Sequence, residues 1–410
     1  MNNLFSKLYP QKTWLRVLLM ALPIIAILVA LSSVVANNSN GNDIGYHPAI
    51  VVVDEPAQEE QDAEPELPLA IYYQPPNISP FETLRWEYLG EDEVFLDLRP
   101  RGLLTGLPIY EEYLNRRPIA VVINNLHDAQ PQSGIASADV IYEVLSEGDI
   151  TRLVGIFQSE IPDQIGPVRS ARDSFIDFAF NHDALFVHHG RSPDADARLR
   201  STRITNLDGM SLGAVFWRDR TYPYWHRNSG TRAVEHSSYT GRERIATHLH
   251  SREIRDYVND NPGYGFTFGI VPPYANAGVA EIVTVPFSTP YTRTFIFDQD
   301  TGLYMVENRH GPHQDAVTRE QVAVANILIQ ITTKRVTGTL GQRTIGTVGE
   351  GEGFFVTGGQ YRPVRWAKDS HVTPMRWYFT DGSPLVLSPG VTWICVFQTT
   401  GTVAFAAAEE

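Results

Sequence analysis

The sequence predicts a mixed α/β domain followed by a mostly β domain, preceded by a transmembrane helix and a disordered stalk. From about residue 106 to 270, strand-like runs such as RPIAVVINN and TRLVGIFQSE alternate with helix-like segments such as FIDFAFNHD, which is typical of an α/β layer. From about 275 to 402 the runs are β-branched and aromatic, and the turn sequences DQDTG, TGGQ and TDGSP separate them. Such turns favour hairpins, so the second domain is predicted to be mostly β.

Two helix starts can be read from the sequence. In SPDADARLR, Ser192 is a good N-cap and Pro193 suits the first helical position. In IGPVRSARDSF, Ser170 and Asp173 are spaced as in a capping box, which predicts a helix that begins near Ser170.

The N-terminus carries an apolar segment of membrane-spanning length. Residues 17–36 contain no charge, and Lys7, Lys12 and Arg16 precede them. By the positive-inside rule we expect a signal anchor, with residues 1–16 in the cytoplasm and the body of the protein outside the cell membrane. The alternative is a signal peptide that is cleaved after Ala36.

An acidic segment follows the predicted anchor. Residues 37–84 contain no lysine or arginine, and DEPAQEEQDAEPELP combines acids with prolines. Such a segment buries too little apolar surface to offset its chain entropy. We therefore predict that residues 37–105 are a mostly disordered linker, although residues 71–107 regain aromatic residues and could dock on the folded part.

Composition excludes several classes of function. A net charge of -14 argues against a nucleic-acid-binding protein. The one cysteine, Cys395, lies in the apolar run VTWICVF, so a disulfide framework and a thiolate metal cluster are both excluded. Cys395 is expected to be a small buried hydrophobe.

Polar residues of the first domain form several candidate clusters. The loop 124–134 follows a predicted strand, where α/β folds commonly bind ligands, although it is also typical of a turn. Glu143 and Glu147 could act as an acid/base pair, or could be ion-pair partners of the arginines in IGPVRSARDSF. His188 or His189 leaves a predicted strand close to Ser192.

Arg169 and Arg172 flank the predicted helix start, where acidic residues are normally favoured. Two guanidinium groups beside free N–H groups could clamp a phosphate or a carboxylate. The other interpretation is an internal ion pair with Glu143 or Glu147.

Known enzyme motifs give little support for catalysis. The G-x-S-x-G match at 209–213 has no clear strand before it or helix after it, so we interpret it as chance. His310, His313 and Asp315 are zinc-type ligands in a loop without fixed geometry, and we predict no metal site. No P-loop or dinucleotide fingerprint follows a strand, and no cofactor is expected.

Taken in order along the chain, these segments resemble the YerB-like family of bacterial envelope lipoproteins, a two-part domain of unknown function. The matching pieces are RPIAVVINNLHDAQPQSGIASADVIYEVLSEGDITRLVGIFQ, IGPVRSAR, LFVHHGRS, AVFWRD, HSSYT, GPHQDAVTREQVAVANILIQ, GEGFFVTGGQYRPVRWAK and LVLSPGVTWICV. The resemblance covers roughly residues 106–400 and implies an extracytoplasmic, membrane-attached protein with N-terminal (106–270) and C-terminal (275–402) domains. It implies no reaction.

The chain departs from the family in two places. The family's lipidated cysteine is absent, so the predicted transmembrane helix would replace the lipid. Where the family tends to have Pro-His-Asn, this chain has Glu235-His236-Ser237, which puts a role for His236 in doubt.

We therefore expect an envelope protein that binds or scaffolds, with wall polymer or an envelope protein as partner and no nucleic acid. The alternative is a wall hydrolase or transferase in which Glu143 or Glu147 is the base and Ser170, Ser192 or His189 assists. The candidate ligand-binding residues are Asn124, Gln132, Ser133, Glu143, Glu147, Arg152, Arg169, Ser170, Arg172, His189, His236, His313 and Asp315.

Overall fold

The computed structural model describes residues 99–223, 231–259, 266–269, 277–337 and 341–408, and the backbone of 70–73, 85–89 and 94–96. All of them belong to one unit, Gln61–Glu410. The predicted transmembrane segment 17–36 lies outside the described residues. Within the ranges given above, no helix is both long and apolar enough to cross a bilayer.

Three short strands lie within the predicted disordered linker. They are β1 (Ala70–Tyr73), β2 (Arg85–Leu89) and β3 (Val94–Leu96), and they form an antiparallel sheet. Further along, Leu104 is fully buried. This part of the predicted linker, which the sequence left open, therefore contains strands. The sequences AIYY, RWEYL and VFL are aromatic and apolar, unlike the acidic stretch before them, and such sequences favour strands.

The remaining elements of the described chain are four helices, three 3₁₀ turns and strands β4 to β26. The helices are α1 (Glu111–Leu114), α2 (Asp173–Phe180), α3 (Pro193–Thr202) and α4 (Arg242–Ser251), and the 3₁₀ turns are His127–Ala129, Ile135–Ser137 and Val234–His236. The strands are β4 (Ile119–Asn124), β5 (Val140–Leu145), β6 (Thr151–Phe157), β7 (Leu185–His188), β8 (Asn206–Asp208), β9 (Trp217–Arg218), β10 (Ser238–Tyr239), β11 (Thr267–Phe268), β12 (Gly278–Val279), β13 (Ile282–Pro286), β14 (Thr292–Asp298), β15 (Leu303–Asn308), β16 (Gly311–Pro312), β17 (Ala323–Val324), β18 (Asn326–Thr332), β19 (Lys334–Val336), β20 (Arg343–Ile345), β21 (Gly349–Thr357), β22 (Gln360–Lys368), β23 (Arg376–Phe379), β24 (Val386–Leu387), β25 (Thr392–Gln398) and β26 (Ala404–Ala406).

Eleven strands form the main sheet, in the order β12-β22-β21-β18-β25-β5-β6-β4-β7-β8, with β23 paired to β22. The pairs β18/β25, β25/β5, β4/β7 and β7/β8 are parallel, and the others are antiparallel. Strand β25 comes from the C-terminal segment and pairs with β5 of the N-terminal segment. Both predicted segments thus contribute strands to one sheet, which the sequence does not predict.

Both faces of the main sheet are covered. All six residues of β4 are buried, which explains its unbroken apolar sequence. Ile119, Val121 and Ile123 belong to one apolar cluster and Ala120 and Val122 to the other, as expected from the alternation of side chains along a strand.

Different layers cover the two faces. The first cluster also contains residues of α4 and of the six-stranded sheet β16-β15-β14-β13-β26, with β17 on β15. The second cluster contains residues of α2 and α3, among them Phe175 and Leu199. The main sheet therefore lies between a helical layer and a second sheet.

Several local predictions are confirmed. The described residues are mostly β with few helices, consistent with the predicted mixed α/β and β class, and α3 begins after Ser192, whose Oγ accepts a hydrogen bond from Ala195 N at 3.3 Å. The TGGQ turn joins β21 to β22, and Gly358 and Gly359 have φ of 55° and 75°, as a two-residue type I′ turn requires. Cys395 is fully buried on β25, and burial raises its pKa well above the usual value.

A buried lysine connects the main sheet to the helical layer. Lys368 ends β22 and is 1% exposed. Its Nζ donates to Asn181 Oδ1 at 2.7 Å and to the carbonyl oxygen of Thr373. Burial lowers the pKa of Lys368 to about 8, although the Asp177 carboxylate opposes the shift.

We expect Lys368 to make the free energy of unfolding depend on pH in the alkaline range. Between pH 8 and 10.5 the unfolded chain holds the Lys368 proton and the folded chain does not, so the free energy of unfolding rises with pH through this window. Relative to Lys368→Met, the wild-type free energy of unfolding should rise by about 3 kcal/mol from neutral pH to pH 10.5. Urea unfolding at several pH values measures this difference.

The half-buried Lys334 provides the control. Its pKa is also lowered by burial, but Lys334→Met should change the pH slope by less than Lys368→Met does. Parallel stability curves for the wild type and Lys368→Met would show that the buried lysine does not titrate as described.

Candidate functional site

A buried ion pair joins the two sequence segments. Arg293 on β14 donates from Nε to Glu143 Oε2 at 2.8 Å and from Nη2 to Glu143 Oε1 at 3.2 Å, and neither residue is more than 2% exposed. Asn125 and Thr151 donate to Glu143 Oε1 at 3.1 and 3.0 Å. The Arg293 guanidinium also lies over the ring of Trp393, 4.9 Å from its centroid. These contacts offset part of the cost of burying two charges.

His313 and Gln132 extend this network. Arg293 Nη1 donates to His313 Nδ1 at 2.8 Å, so the proton of the neutral ring lies on Nε2, which donates to Gln132 Oε1 at 2.9 Å. Burial, with the charge of Arg293, lowers the pKa of His313 well below its usual value. Gln132 Nε2 donates to the backbone carbonyl of Asn124 at 3.0 Å. The structure thus brings together Gln132, Glu143 and His313 from the predicted set.

Asp315 and Ser133 form hydrogen bonds that hold neighbouring loops in place. The Asp315 carboxylate accepts hydrogen bonds from the backbone N–H groups of Ala136, Val317 and Thr318 at 2.7 to 3.3 Å. The Ser133 hydroxyl accepts one from Gln164 at 3.0 Å. In the part of the chain that the structure describes, no three His, Cys, Asp or Glu side chains are grouped to hold a metal ion.

Glu147 binds two arginines. Arg172 donates to Glu147 Oε2 from Nε at 2.9 Å and from Nη2 at 2.6 Å. Arg152 and the hydroxyl of Ser146 also donate to this carboxylate. Burial raises the pKa of Glu147, but the charges of Arg152 and Arg172 outweigh burial and hold the pKa below 4.5. Arg172 therefore forms the internal ion pair that was one of the two interpretations of the sequence, because its guanidinium binds Glu147.

The helix in IGPVRSARDSF begins later than predicted. Helix α2 starts at Asp173, with Arg172 at the N-cap and no side-chain cap hydrogen bond. The Ser170 hydroxyl donates to the carbonyl of His189 at 3.0 Å instead. The capping-box prediction is wrong because this tertiary contact takes the hydroxyl away from the helix N-terminus.

The glycine of the same motif is required by close packing. Gly166 has φ of 152°, and a Cβ on it would lie 2.8 Å from the carbonyl oxygen of Ser238. Only glycine fits this position without displacing backbone.

Arg169 has no carboxylate in contact with it among the described residues. Its Nη1 donates to the backbone carbonyl of Glu235 at 2.9 Å, and its Nε is buried without a hydrogen-bond partner. Burial lowers the pKa of Arg169, and the charges of Arg172 and Arg218 act in the same direction, against Glu147 and Glu235. A cation with an unused donor thus lies next to two other arginines.

Arg218, His189 and His236 lie close enough to Arg169 for their charges to affect one another. Arg218 Nη2 donates to His189 Nε2 at 3.0 Å, so His189 carries its proton on Nδ1 and donates to Ser238 Oγ at 2.7 Å. His236 Nδ1 accepts a hydrogen bond from Asn124 Nδ2 at 2.7 Å. We call Arg169, Arg218, His189 and His236 the arginine surface.

Both histidines of the arginine surface are held in the neutral form. Burial lowers the pKa of His189, and Arg218 lowers it further. Burial also lowers the pKa of His236, and Arg169 adds to that shift. At neutral pH the positive charge of this surface therefore comes from its two arginines.

Comparison with known proteins identifies the family. The family model for the N-terminal domain of a protein of unknown function, DUF3048, matches residues 104–255, and the model for its C-terminal domain matches residues 283–394. The chain belongs to the DUF3048 family. Among curated proteins it is 32% identical, over 297 residues, to "Putative lipoprotein YerB" of Bacillus subtilis (strain 168), covering 71% of this chain and 84% of the relative.

A solved structure supports the DUF3048 assignment. The crystal structure of the YerB protein from Bacillus subtilis matches with a TM-score of 0.64 and 29% identity, over 75% of this chain and 100% of that one. The YerB-like resemblance inferred from the sequence is therefore confirmed. It assigns no reaction to this DUF3048 chain.

The structure does not assemble the groups of the alternative enzyme hypothesis. Glu143 is paired with Arg293, and Glu147 with Arg152 and Arg172. Ser170 contacts the His189 carbonyl, and Ser192 caps α3. In the described ranges of this DUF3048 chain, neither glutamate is hydrogen-bonded to Ser170, Ser192 or His189.

Sequence reasoning missed two residues of these clusters, Arg293 and Arg218. Arg293 and Phe295 are both buried at alternate positions of β14, so an arginine in the apolar register of TRTFIF was a usable signal. Arg218 lies in a strand of two residues, and no local pattern marks it.

We expect Glu147 to stabilise the protein through its two arginines. Glu147→Gln leaves Arg152, whose side chain is 4% exposed, and Arg172 without their anion. At neutral pH the free energy of unfolding should fall by about 3 kcal/mol. Because the pKa of Glu147 is lowered in the folded state, this contribution is present above pH 4.5 and is lost as the pH falls through the folded value.

Glu350→Gln is the matched control. Glu350 forms an exposed ion pair with Arg365, and its loss should change the free energy of unfolding by less than about 1 kcal/mol. Chemical unfolding of both variants at neutral and acidic pH measures the contrast. Equal losses of stability would contradict the assigned role of Glu147.

Proposed function

We propose that this chain is a membrane-anchored, extracytoplasmic binding or scaffolding protein of the bacterial cell envelope that holds an anionic wall group or a wall-synthesis partner. The similarity to a protein named as a lipoprotein supports an envelope location. The apolar segment 17–36, with basic residues before it, supports a single-pass anchor. The acidic segment after it would extend the body away from the membrane.

The observation that carries the proposal is the unused donor of Arg169. Its Nε is buried without an acceptor, and neither Arg169 nor Arg218 has a carboxylate within ion-pair distance in the described part of the chain. A buried donor without a partner costs free energy. A carboxylate or phosphate group beside the half-buried Arg169 guanidinium would neutralise its charge and reduce the repulsion between the arginines.

The arginine surface replaces the clamp that the sequence predicts. Arg169 keeps its proposed role, and Arg218 takes the place of Arg172, because Arg172 is bound to Glu147. The Ser170 hydroxyl and its carbonyl are also occupied, by His189 and Arg152. The proposed anion contacts are therefore Arg169 and Arg218, with His189 and His236 beside them.

We expect the full-length protein, in non-ionic detergent, to bind an anionic wall polymer or muropeptides through this surface. Arg169→Gln with Arg218→Gln should weaken binding at least about tenfold, since hydrogen bonds to charged groups contribute about 1.5–3 kcal/mol. An anion raises the pKa of a nearby histidine, so binding should take up protons at His189 and His236. Affinity should accordingly rise as the pH falls below neutrality, and isothermal titration measures both effects.

The charge-matched control is Arg365→Gln with Arg376→Gln. Both residues are exposed and pair with Glu350 and Asp369. This variant also loses two positive charges and should bind like the wild type. Equal weakening in the two double variants, or no binding by the wild type, would refute the proposed anion site.

The proposed topology has its own test. Cells that express the chain should retain it in the membrane fraction, and protease added outside the cell membrane should digest its body. Deletion of residues 17–36 should abolish membrane retention. A body protected from external protease would contradict the proposed orientation.

A further inference from the structure

A second candidate site lies next to the buried Glu143–Arg293 pair. It is a cleft of about 110 Å³, bordered by both members of the pair. Residues from both family domains form its walls, with Gln130 following β4, Tyr291 preceding β14 and Asn308 ending β15. The volume is below the roughly 300 Å³ of small drug-sized pockets, so the cleft suits a single ring or a group of similar size.

The inner wall of the cleft carries no net charge. Glu143 is neutralised by Arg293 through two hydrogen bonds. The amide groups are held in fixed orientations, because Asn308 Nδ2 donates to Gln130 Oε1 at 3.0 Å and Gln130 Nε2 donates to Asn125 Oδ1 at 3.3 Å. This fixed, polar inner wall favours hydroxyl or amide groups at the inner end of the ligand, and the charge of Arg309 lies only at the exposed edge.

One hydroxyl at the cleft has no protein partner. Tyr291 lines it, is half-buried, and its hydroxyl makes no hydrogen bond among the described residues. Burial raises the pKa of Tyr291, with Asp128 and Glu143 adding to the shift. The phenol therefore stays protonated and can both donate and accept.

Flat rings and a free cation line the same cleft. The rings of His127 and His310 lie with their centroids 3.9 Å apart and their planes tilted by 32°, and both border the cleft. Arg309, also at the cleft, is exposed and forms no ion pair within the described residues. A pyranose ring has apolar faces and hydroxyl groups at its edges. The flat imidazole rings can pack against such a face, and the fixed amides can form hydrogen bonds with the edge.

We propose that this cleft binds one neutral pyranose ring of a glycan, with the Tyr291 hydroxyl hydrogen-bonded to a ring substituent. The site uses none of the residues of the arginine surface, so it is independent of the proposed anion site. A glycan ring and an anionic group of the same wall material could then be held at separate places on one protein.

The test is titration of the full-length protein with the disaccharide of N-acetylglucosamine, in lauryldimethylamine oxide, a detergent without a sugar headgroup. Tyr291→Phe removes the hydroxyl alone and should weaken binding about fivefold, as expected for one hydrogen bond. Pro290→Trp places a large ring at the exposed edge of the cleft and should abolish binding. Thermal unfolding shows whether both variants remain folded.

Two controls separate this proposal from the proposed function. Tyr110→Phe removes the hydroxyl of a tyrosine that is 62% exposed and should bind like the wild type. The Arg169→Gln and Arg218→Gln variant should also keep its disaccharide binding even where its anion binding is lost.

Three outcomes would overturn the proposal. The first is the absence of disaccharide binding by the wild type at about 10 mM ligand. The second is equal binding by the wild type, Tyr291→Phe and Pro290→Trp. The third is binding of inorganic phosphate or dialanine, sensitive to Pro290→Trp, with no binding of the disaccharide.

Discussion

The insertion of β25 between β18 and β5 is the constraint on which the rest of the structure depends. Its parallel pairing places Cys395 beside Glu143 and Trp393 beside Ile141, while its other edge pairs with β18 over residues 392–398. Trp393 lies under the Arg293 guanidinium, and Arg293 reaches Glu143 from the second sheet. The strand pairing therefore sets the geometry of the ion pair, and the ion pair forms one side of the cleft. The two family domains share this core.

Local sequence patterns predicted local structure, because the interactions that decide it lie within a few residues. The TGGQ turn and the helix after Ser192 depend on backbone geometry and capping, and both are confirmed. The capping box at Ser170 failed since a distant carbonyl, that of His189, competes for the same hydroxyl. The pairing of β25 with β5 has no local signal at all, and no propensity could have predicted a sheet shared by both segments.

The same limit applies to the candidate site. Residue types made Glu143, Gln132 and His313 candidates, but Arg293, which joins Glu143 to His313, lies on a strand far along the chain from Glu143. Sequence reasoning also treated Arg169 and Arg172 as one unit. They have different partners because Arg172, the N-cap residue of α2, reaches Glu147, whereas Arg169, three residues earlier, contacts the carbonyl of Glu235.

The difference between Arg172, which is paired with a carboxylate, and Arg169, which is not, is the main physical reason to look for a ligand. One carboxylate, Glu147, binds both Arg152 and Arg172, and burial followed by the charge of Arg172 lowers the pKa of Arg152 to about 9. Arg169 and Arg218 add positive charge nearby, and burial together with this charge lowers the pKa values of His189 and His236 and keeps both rings neutral. The buried Nε of Arg169 has no hydrogen-bond partner, but the same is true of Arg232 Nε and Trp393 Nε1 in the described residues. The reason to place the proposed anion site at Arg169 is therefore its charge beside Arg218, with no carboxylate in contact among the described residues, and not the unsatisfied Nε alone.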